Sequence, residues 1–533
     1  MTSFLLRTIR RAGIKECKAN IAGNWFIPLS ALFYLLGNAG CSQDSNAFYV
    51  SAIVSFVLIS AVCVLCPPFV PFFKRTAAGL RIVSLLSAFG ICFCTWDILR
   101  FEPLIWGGDA FVQRTVFMFL ALPFGFVFCL LFWDRLITGL KDIFQKAGVN
   151  GKEKIFILIL ILAYCTLVLV AYSNTNAFCH PGFDPSADRY DDTTALRDVV
   201  YTSDSADLTG RNAYILIDNA ENDIRQPFFG IVSAPLMGIP SLTGWLVNKV
   251  IPSVSPSTFL AIAQVIILVI SLYVLAVTLN LDCYQRAGFA AVFAGTFTYF
   301  LFSLLIEQYV VAFFCLMLTV HFLVKDKEKA LAYSFASAGT LLTGGILVPF
   351  MLKREEKGAE AFIKIVERLF FYGIDFLALM LITGRTNLIT GFWNNVATLS
   401  LFTGRSVSYP DRILQYLNFV GGCFLMPASA PEAMTVSQGM YNTWHLAQVS
   451  SVNIAGVVVI VLAVAGFVVK RKEKISKIAL GWICFSMVML ILDKIRNGIL
   501  KLVICFAIFL PMGIYNLIAL SGMLRFLASQ YPV

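Results

Sequence analysis

The chain has 533 residues, of which 59% are hydrophobic and 14% are charged, and its formal net charge is +10. Soluble globular domains carry about 25% charged residues, so this composition excludes a soluble domain and predicts a polytopic membrane protein. The positive charge does not indicate nucleic-acid binding, because the Lys and Arg residues fall mostly in alternate short loops, the pattern that sets membrane topology. The three histidines, His180, His321 and His445, are scattered and offer little material for a zinc site.

A helix needs about 20 apolar residues to cross about 30 Å of hydrocarbon. Five runs that meet or approach this length come first: residues 21–40, 50–70, 82–96, 115–133 and 155–172. The basic N-terminus resembles a secretory signal, but further spans follow, so we interpret the first run as an uncleaved helix. Basic clusters follow the second and fourth runs, which predicts that those loops are cytoplasmic. The loop 173–228 is then external.

The next apolar segment, Phe229–Val250, is interrupted by Pro235, Gly238, Pro240 and Gly244. The later runs 258–281, 289–306 and 310–324 place Arg286 and Lys325 in the cytoplasm only if this segment does not cross the membrane. We therefore predict a juxtamembrane or re-entrant element on the external side, where irregular backbone is tolerated when it lines a cavity.

By the same parity, Glu307 is predicted at the external end of a helical hairpin. Residues 331–352 should enter the membrane and return as two short helices, and a span at 369–383 should lead to a second external loop, 385–452. The last runs, 454–469, 478–492 and 502–520, bring both termini to the cytoplasm. The expected fold is all-α, with about 12–14 transmembrane or re-entrant helices and juxtamembrane helices in the large external loop.

The external loop 173–228 contains ten Asp or Glu residues and four Arg residues. Ionisable groups at a membrane edge are functional candidates, because they are costly there unless paired or hydrated. A carboxylate can act as general base, and Arg225, Lys494 and Arg496, predicted on the same face, suit phosphate oxygens. The alternative is that the acids only hydrate the loop and pair with its arginines.

Two short motifs carry a family resemblance. Asp204-Ser-Ala-Asp207-Leu208 is followed 21 residues after Asp204 by Arg225-Gln226-Pro227-Phe228-Phe229, and LLIEQYVVAFF contains Glu307. These resemble the DExxY and RxPPLYP motifs and the second acid of GT-C type membrane glycosyltransferases, which include aminoarabinose transferases and protein mannosyltransferases. The first acid of typical members directly follows a helix, whereas here about thirty loop residues intervene, so the choice among Asp204, Asp207 and Asp223 stays open.

The resemblance covers residues 154–533 and implies a GT-C-like catalytic domain, with residues 1–153 as an N-terminal four-helix extension. It implies transfer of a sugar from a polyprenyl-phosphate donor to an extracytoplasmic lipid, glycan or protein, with inversion at the anomeric carbon. Asp204, Asp207 and Glu307 would be catalytic. Substrate binding would fall to four residues: Arg225, Asp223, Lys494 and Arg496. No metal site is expected, although Mg²⁺ or Mn²⁺ would fit an acidic site.

Two other classes stay open at this point. A lipid-linked saccharide flippase or other transporter would need charged groups along a path within the spans, and a non-catalytic protein of envelope assembly would need no such site. Both, like the transferase, would be multi-pass proteins, and the sequence favours the bacterial cytoplasmic membrane as the location. Membrane lipids are partners in each case.

Overall fold

A computed structural model describes residues 20–40, 45–65, 68–98, 110–173, 226–252, 254, 256–325, 327–345, 348, 359–383, 429–436, 439–446, 454–469, 472–473 and 475–480. Its helices, in chain order, are α1 Phe26–Gly40, α2 Ser45–Leu65, α3 Phe69–Arg75, α4 Ala78–Ile98, α5 Ala110–Lys146, α6 Gly151–Ser173, α7 Phe229–Val250, α8 Ser257–Thr278, α9 Cys283–Ala294, α10 Phe297–Leu304, α11 Tyr309–Lys325, α12 Lys327–Thr340, α13 Leu342–Gly345, α14 Ala359–Ile382 and α15 Ile454–Val469.

The described residues are mainly helical, which confirms the helical membrane class. Five of these helices are long and apolar enough to cross a membrane, and the number rises to seven if each of two bent helix pairs is one span. The total of about 12–14 helices and the domain boundary at residue 153 stay predictions. The all-α expectation is wrong at one place in the second loop, where β1, Ser429–Val436, and β2, Gly439–Leu446, pair as an antiparallel hairpin.

The chain divides into two compact units, and the first comprises Met1–Lys141, Asn212–Thr243 and Leu352–Asn395. Within it, α1 packs against α2, and the Ser55 hydroxyl on α2 donates to the Leu381 carbonyl on α14 at 2.8 Å. Phe228 stacks at a tilt on Phe376, with ring centroids 4.8 Å apart. The residue before α7 is thereby held against α14.

Helix α7 corrects the prediction of an irregular backbone at Phe229–Val250. It is one continuous helix of 22 residues despite Pro235 and Pro240. Gly238 lies against the middle of α4, and a Cβ at Gly90 would stand 2.1 Å from the Gly238 carbonyl oxygen. Small residues let helix backbones approach this closely, so α7 lies in backbone contact with α4.

The second unit comprises Asp142–Arg211, Gly244–Met351 and Val396–Val533. Helix α8 is at its centre, and 18 of its 22 residues are buried. Helices α6 and α11 pack on it. A helix that is apolar on all sides and enclosed by neighbours is typical of the interior of a membrane bundle.

Helices α6 and α8 run antiparallel. The start of α6 contacts the chain just after α8, where the Asn150 side chain lies 3.1 Å from Cys283 Sγ. At the other end, Tyr172 bonds to Leu304 and Gln264 bonds to Glu307. The end of α6 and the start of α8 therefore lie at one end of the unit. Helix α7, which the chain forms between them, is long and apolar enough to cross a membrane, so the predicted juxtamembrane or re-entrant element stays a prediction.

The predicted straight span 289–306 is wrong. Helices α9 and α10 meet at a bend of 70°. The bend follows from helix-terminating side chains: Thr296 caps α10 by accepting from the Tyr299 amide at 3.3 Å. Asp282 and Gln285 form a capping box at the start of α9, a pattern that fixes where a helix begins.

The chain also reverses after α12. Helix α12 ends at Thr340, and the short helix α13 follows after Leu341. A Cβ at Gly345 would stand 2.2 Å from the Ser334 carbonyl oxygen, so α13 folds back against α12. The predicted entry and return of residues 331–352 in the membrane stays a prediction, because residues 346–347 and 349–352 lie outside the described part of the chain.

Candidate functional site

Glu307 lies in the break between α10 and α11. Its residue exposure is 7%, and the Gln264 side-chain amide donates to its backbone carbonyl at 2.6 Å. Gln264 is itself fully buried in the second turn of α8. A buried amide is costly unless it is hydrogen-bonded, so this contact fixes the backbone at Glu307 and the direction in which α11 begins.

Two tyrosines of α6 hold the broken helix that precedes Glu307. The Tyr172 hydroxyl donates to the Leu304 carbonyl at 2.8 Å, and the Tyr164 hydroxyl donates to the Ala294 carbonyl. These carbonyls belong to the last turns of α10 and α9, where helix geometry leaves acceptors unsatisfied. Since Tyr172 is the last residue but one of α6, Glu307 lies at the end of the unit from which the acidic loop departs.

The other predicted site residues lie outside the described part of the chain. They are Asp204, Asp207, Asp223, Arg225, Lys494 and Arg496. Their convergence on Glu307 stays a prediction. Gln226 and Phe228, which follow Arg225, are described and buried. The second motif therefore leads directly into the packed start of α7.

A buried ion pair occupies the opposite end of the second unit. Arg286 donates from Nε to Glu153 Oε1 at 2.6 Å and from Nη2 to Glu153 Oε2 at 2.9 Å, while its Nη1 donates to the Leu281 carbonyl at 2.8 Å. The side chains are 7% and 1% exposed. A two-point pair of this kind has the geometry that makes Arg–carboxylate interactions strong.

Further charged contacts lie at the same end. Lys146 pairs with Asp142 at 3.0 Å, and the Lys325 ammonium donates to Asn280 Oδ1 at 3.0 Å. Lys329 lies 3.8 Å from Asp142. Charged residues of loops that the sequence places on one side therefore lie together at one end of this unit. The cytoplasmic location of that end stays a prediction.

Sequence reasoning missed the residues that position Glu307. Gln264, Tyr164 and Tyr172 lie inside apolar runs, and nothing in their spacing marks them. The Glu153 contact had a local signal, because Asn150 and Glu153 satisfy each other's backbone amides at 2.9 and 3.1 Å as a capping box does. Its partner Arg286 is 133 residues away, and no local pattern predicts it.

Within the described ranges, no three His, Cys, Asp or Glu side chains are grouped so that they could hold a metal ion. Mg²⁺ or Mn²⁺ at the acidic loop stays a prediction, because that loop is outside those ranges. Comparisons of the chain with protein-family models, with curated proteins and with solved structures give no match.

Proposed function

We propose that the chain is a membrane glycosyltransferase of GT-C type, which transfers a sugar from a polyprenyl-phosphate donor to an extracytoplasmic acceptor. The position of Glu307 carries the proposal. This buried carboxyl group lies in a helix break at the end of the bundle where the acidic loop begins. Carboxyl groups in such places are expensive, and their presence is a reason to assign them a function.

The proposed reaction is an inverting displacement. A carboxylate takes the proton of the acceptor hydroxyl, and the hydroxyl oxygen attacks the anomeric carbon of the donor sugar. The bond between that carbon and the phosphate oxygen breaks as the new bond forms. The leaving group, a polyprenyl phosphate, keeps the electron pair and gains negative charge.

Residues of the first motif would act on the acceptor. Asp204 is the proposed general base because it has the 21-residue spacing to Arg225, and Asp207 and Asp223 are its neighbours in the loop. Positioned general bases contribute about 10²- to 10⁴-fold to rate. The fixed backbone at Glu307 would hold a second carboxyl group at a set depth for orienting the donor sugar.

Cations would act on the donor phosphate. Arg225 offers a planar fork that matches two phosphate oxygens, and Lys494 or Arg496 would supply further positive charge. The charge on the phosphate grows as the bond to the sugar breaks, so these contacts strengthen in the transition state. The polyprenyl chain would remain in the lipid.

Transfer assays on purified protein in proteoliposomes test this function. The donor would be a radiolabelled polyprenyl-phosphate sugar, and the readout would be released polyprenyl phosphate together with label in an acceptor lipid extract. Glu307→Gln should reduce turnover at least tenfold, whereas Glu367→Gln, the same chemical change at an exposed position of α14, should leave it unchanged. If the wild-type protein leaves the donor uncleaved across a panel of donor sugars and acceptors, the transferase proposal is refuted.

A further inference from the structure

Helix α3 is a short helix of the first unit that the transferase proposal does not use. It makes an angle of 74° with α2, the helix before it. Helix α2 has 21 residues, which rise about 31 Å, so it is long enough to cross the hydrocarbon of about 30 Å without α3. A helix that bends by 74° after such a crossing lies nearly in the plane of the membrane surface, as interfacial helices do.

The inner face of α3 is fixed on aromatic side chains. The Phe69 ring packs edge to face on Phe26 of α1, with ring centroids 6.4 Å apart. The Phe73 ring packs in the same way on Phe126 of α5, at 6.0 Å. At the start of the helix, the Phe69 amide donates to Asn24 Oδ1 at 2.9 Å. These contacts decide which side chains of α3 face outwards.

Arg81 fixes the turn that follows α3. Its Nη2 donates to the Thr76 carbonyl at 2.7 Å, and its Nε donates to the same oxygen at 3.1 Å. Its guanidinium carbon lies 4.5 Å from the centroid of the Phe73 ring, and the Thr76 hydroxyl donates to the Phe73 carbonyl at 2.8 Å. Because Arg81 is engaged in this turn, the outward charge of α3 comes from Lys74 and Arg75.

The outer face of α3 combines apolar and basic side chains. Val70, Pro71, Lys74 and Arg75 are all exposed. The ion pairs within the described part of the chain do not include Lys74 or Arg75, so no described carboxylate neutralises either charge. At a membrane surface, the apolar side chains of such a face enter the boundary of the acyl chains, and the cations reach the headgroup phosphates.

We propose that the outer face of α3 is a docking surface for anionic lipid headgroups, which Lys74 and Arg75 favour over zwitterionic ones. Charge complementarity decides the occupant, because an anionic headgroup carries a net negative charge and a zwitterionic headgroup does not. Each basic side chain near an anionic membrane surface adds about fivefold in affinity. None of these residues belongs to either sequence motif, so the proposal does not depend on the transferase reaction.

Fluorescence quenching at α3 tests this surface. Val70→Cys in a Cys-depleted full-length protein carries a bimane label, and the protein is reconstituted in phosphatidylcholine vesicles. The vesicles contain brominated phosphatidylglycerol or brominated phosphatidylcholine at equal mole fraction. From the quenching, phosphatidylglycerol should associate more strongly than phosphatidylcholine, by between about fivefold for one cation and about 25-fold for two. Lys74→Gln/Arg75→Gln should abolish this preference, whereas Lys74→Arg/Arg75→Lys, which keeps both charges, should retain it.

Lys152→Gln/Lys154→Gln is the matched control, because it removes the same charge from two exposed lysines at the start of α6. It should keep the preference for phosphatidylglycerol. With all variants eluting as monodisperse protein, equal quenching by the two brominated lipids while Lys74 and Arg75 are intact would overturn the proposal. A preference that survives in Lys74→Gln/Arg75→Gln would do the same. So would a label that neither lipid quenches, since α3 would then be covered by protein or would face water.

Discussion

Removing Arg286 tests the packing of the second unit. In Arg286→Met, Glu153 loses its two hydrogen bonds from Arg286, at 2.6 and 2.9 Å, and keeps the one that it accepts from the Asn150 backbone amide at 3.1 Å. The Leu281 carbonyl loses its donor. Breaking a buried pair by deleting one partner costs about 3–5 kcal/mol, because a charge remains buried. We expect a loss of that size in unfolding free energy, measured by denaturant titration in mixed micelles.

The double variant Glu153→Gln/Arg286→Met separates charge from packing. It leaves no buried charge at this position, so it should lose less stability than Arg286→Met, with an interaction energy of about 0.5–3 kcal/mol. Lys146→Met is the control, because its pair with Asp142 is on the surface, with 74% of the Lys146 side chain exposed, and surface pairs contribute little. If Arg286→Met unfolds at the same denaturant concentration as Lys146→Met, the buried pair does not hold α6 to α9.

Gly90→Ala should lower the melting temperature, because its Cβ would meet the Gly238 carbonyl oxygen at 2.1 Å. The control Gly373→Ala, whose Cβ would meet nothing within 4 Å, should melt at or above the temperature of the wild type. Equal melting temperatures of the two variants would refute the close contact between α4 and α7. Tyr172→Phe should lose about 0.5–1.5 kcal/mol of unfolding free energy with its bond to Leu304. Tyr299→Phe should lose no stability, since no described group bonds its buried hydroxyl. If Tyr299→Phe lost more unfolding free energy than Tyr172→Phe, the hydrogen bond from Tyr172 to Leu304 would not be the stabilising one. For topology, Val250→Cys in a Cys-depleted protein should react with an impermeant maleimide from outside, and Lys146→Cys should react only after permeabilisation. Labelling of both positions from the same side would contradict the antiparallel arrangement of α6 and α8.

Apolar run length and basic loops predicted much of the helical content. Helix α15 coincides with the run 454–469, and α8 spans Ser257–Thr278 against the expected 258–281. The break near Thr296 was missed because the apolar run 289–306 continues through it. Only the cap at Thr296 marks the bend. Hydropathy reports whether a segment prefers lipid, and it does not report whether the backbone is straight.

Contacts between helices were beyond the reach of the sequence. Helices apolar on every side give no sign of which face packs, so nothing predicted that Gln264 would meet Glu307 or that Tyr172 would meet Leu304. Glu307 itself was found because a carboxyl group stands out in an apolar run. Asp204 and Arg225 were chosen by motif spacing, and their place relative to Glu307 stays a prediction.

Sugar transfer by Asp204→Asn is the most direct test of the proposed chemistry. The substitution keeps the size of the side chain and removes its ability to accept a proton. With Asp207→Asn and Asp223→Asn as neighbours for comparison, we expect Asp204→Asn to lower turnover about 10²- to 10⁴-fold while donor-lipid binding is retained. Full turnover in Asp204→Asn together with loss in one neighbour would move the base to that neighbour. Full turnover in all three variants would contradict an acid of this loop as the catalytic base.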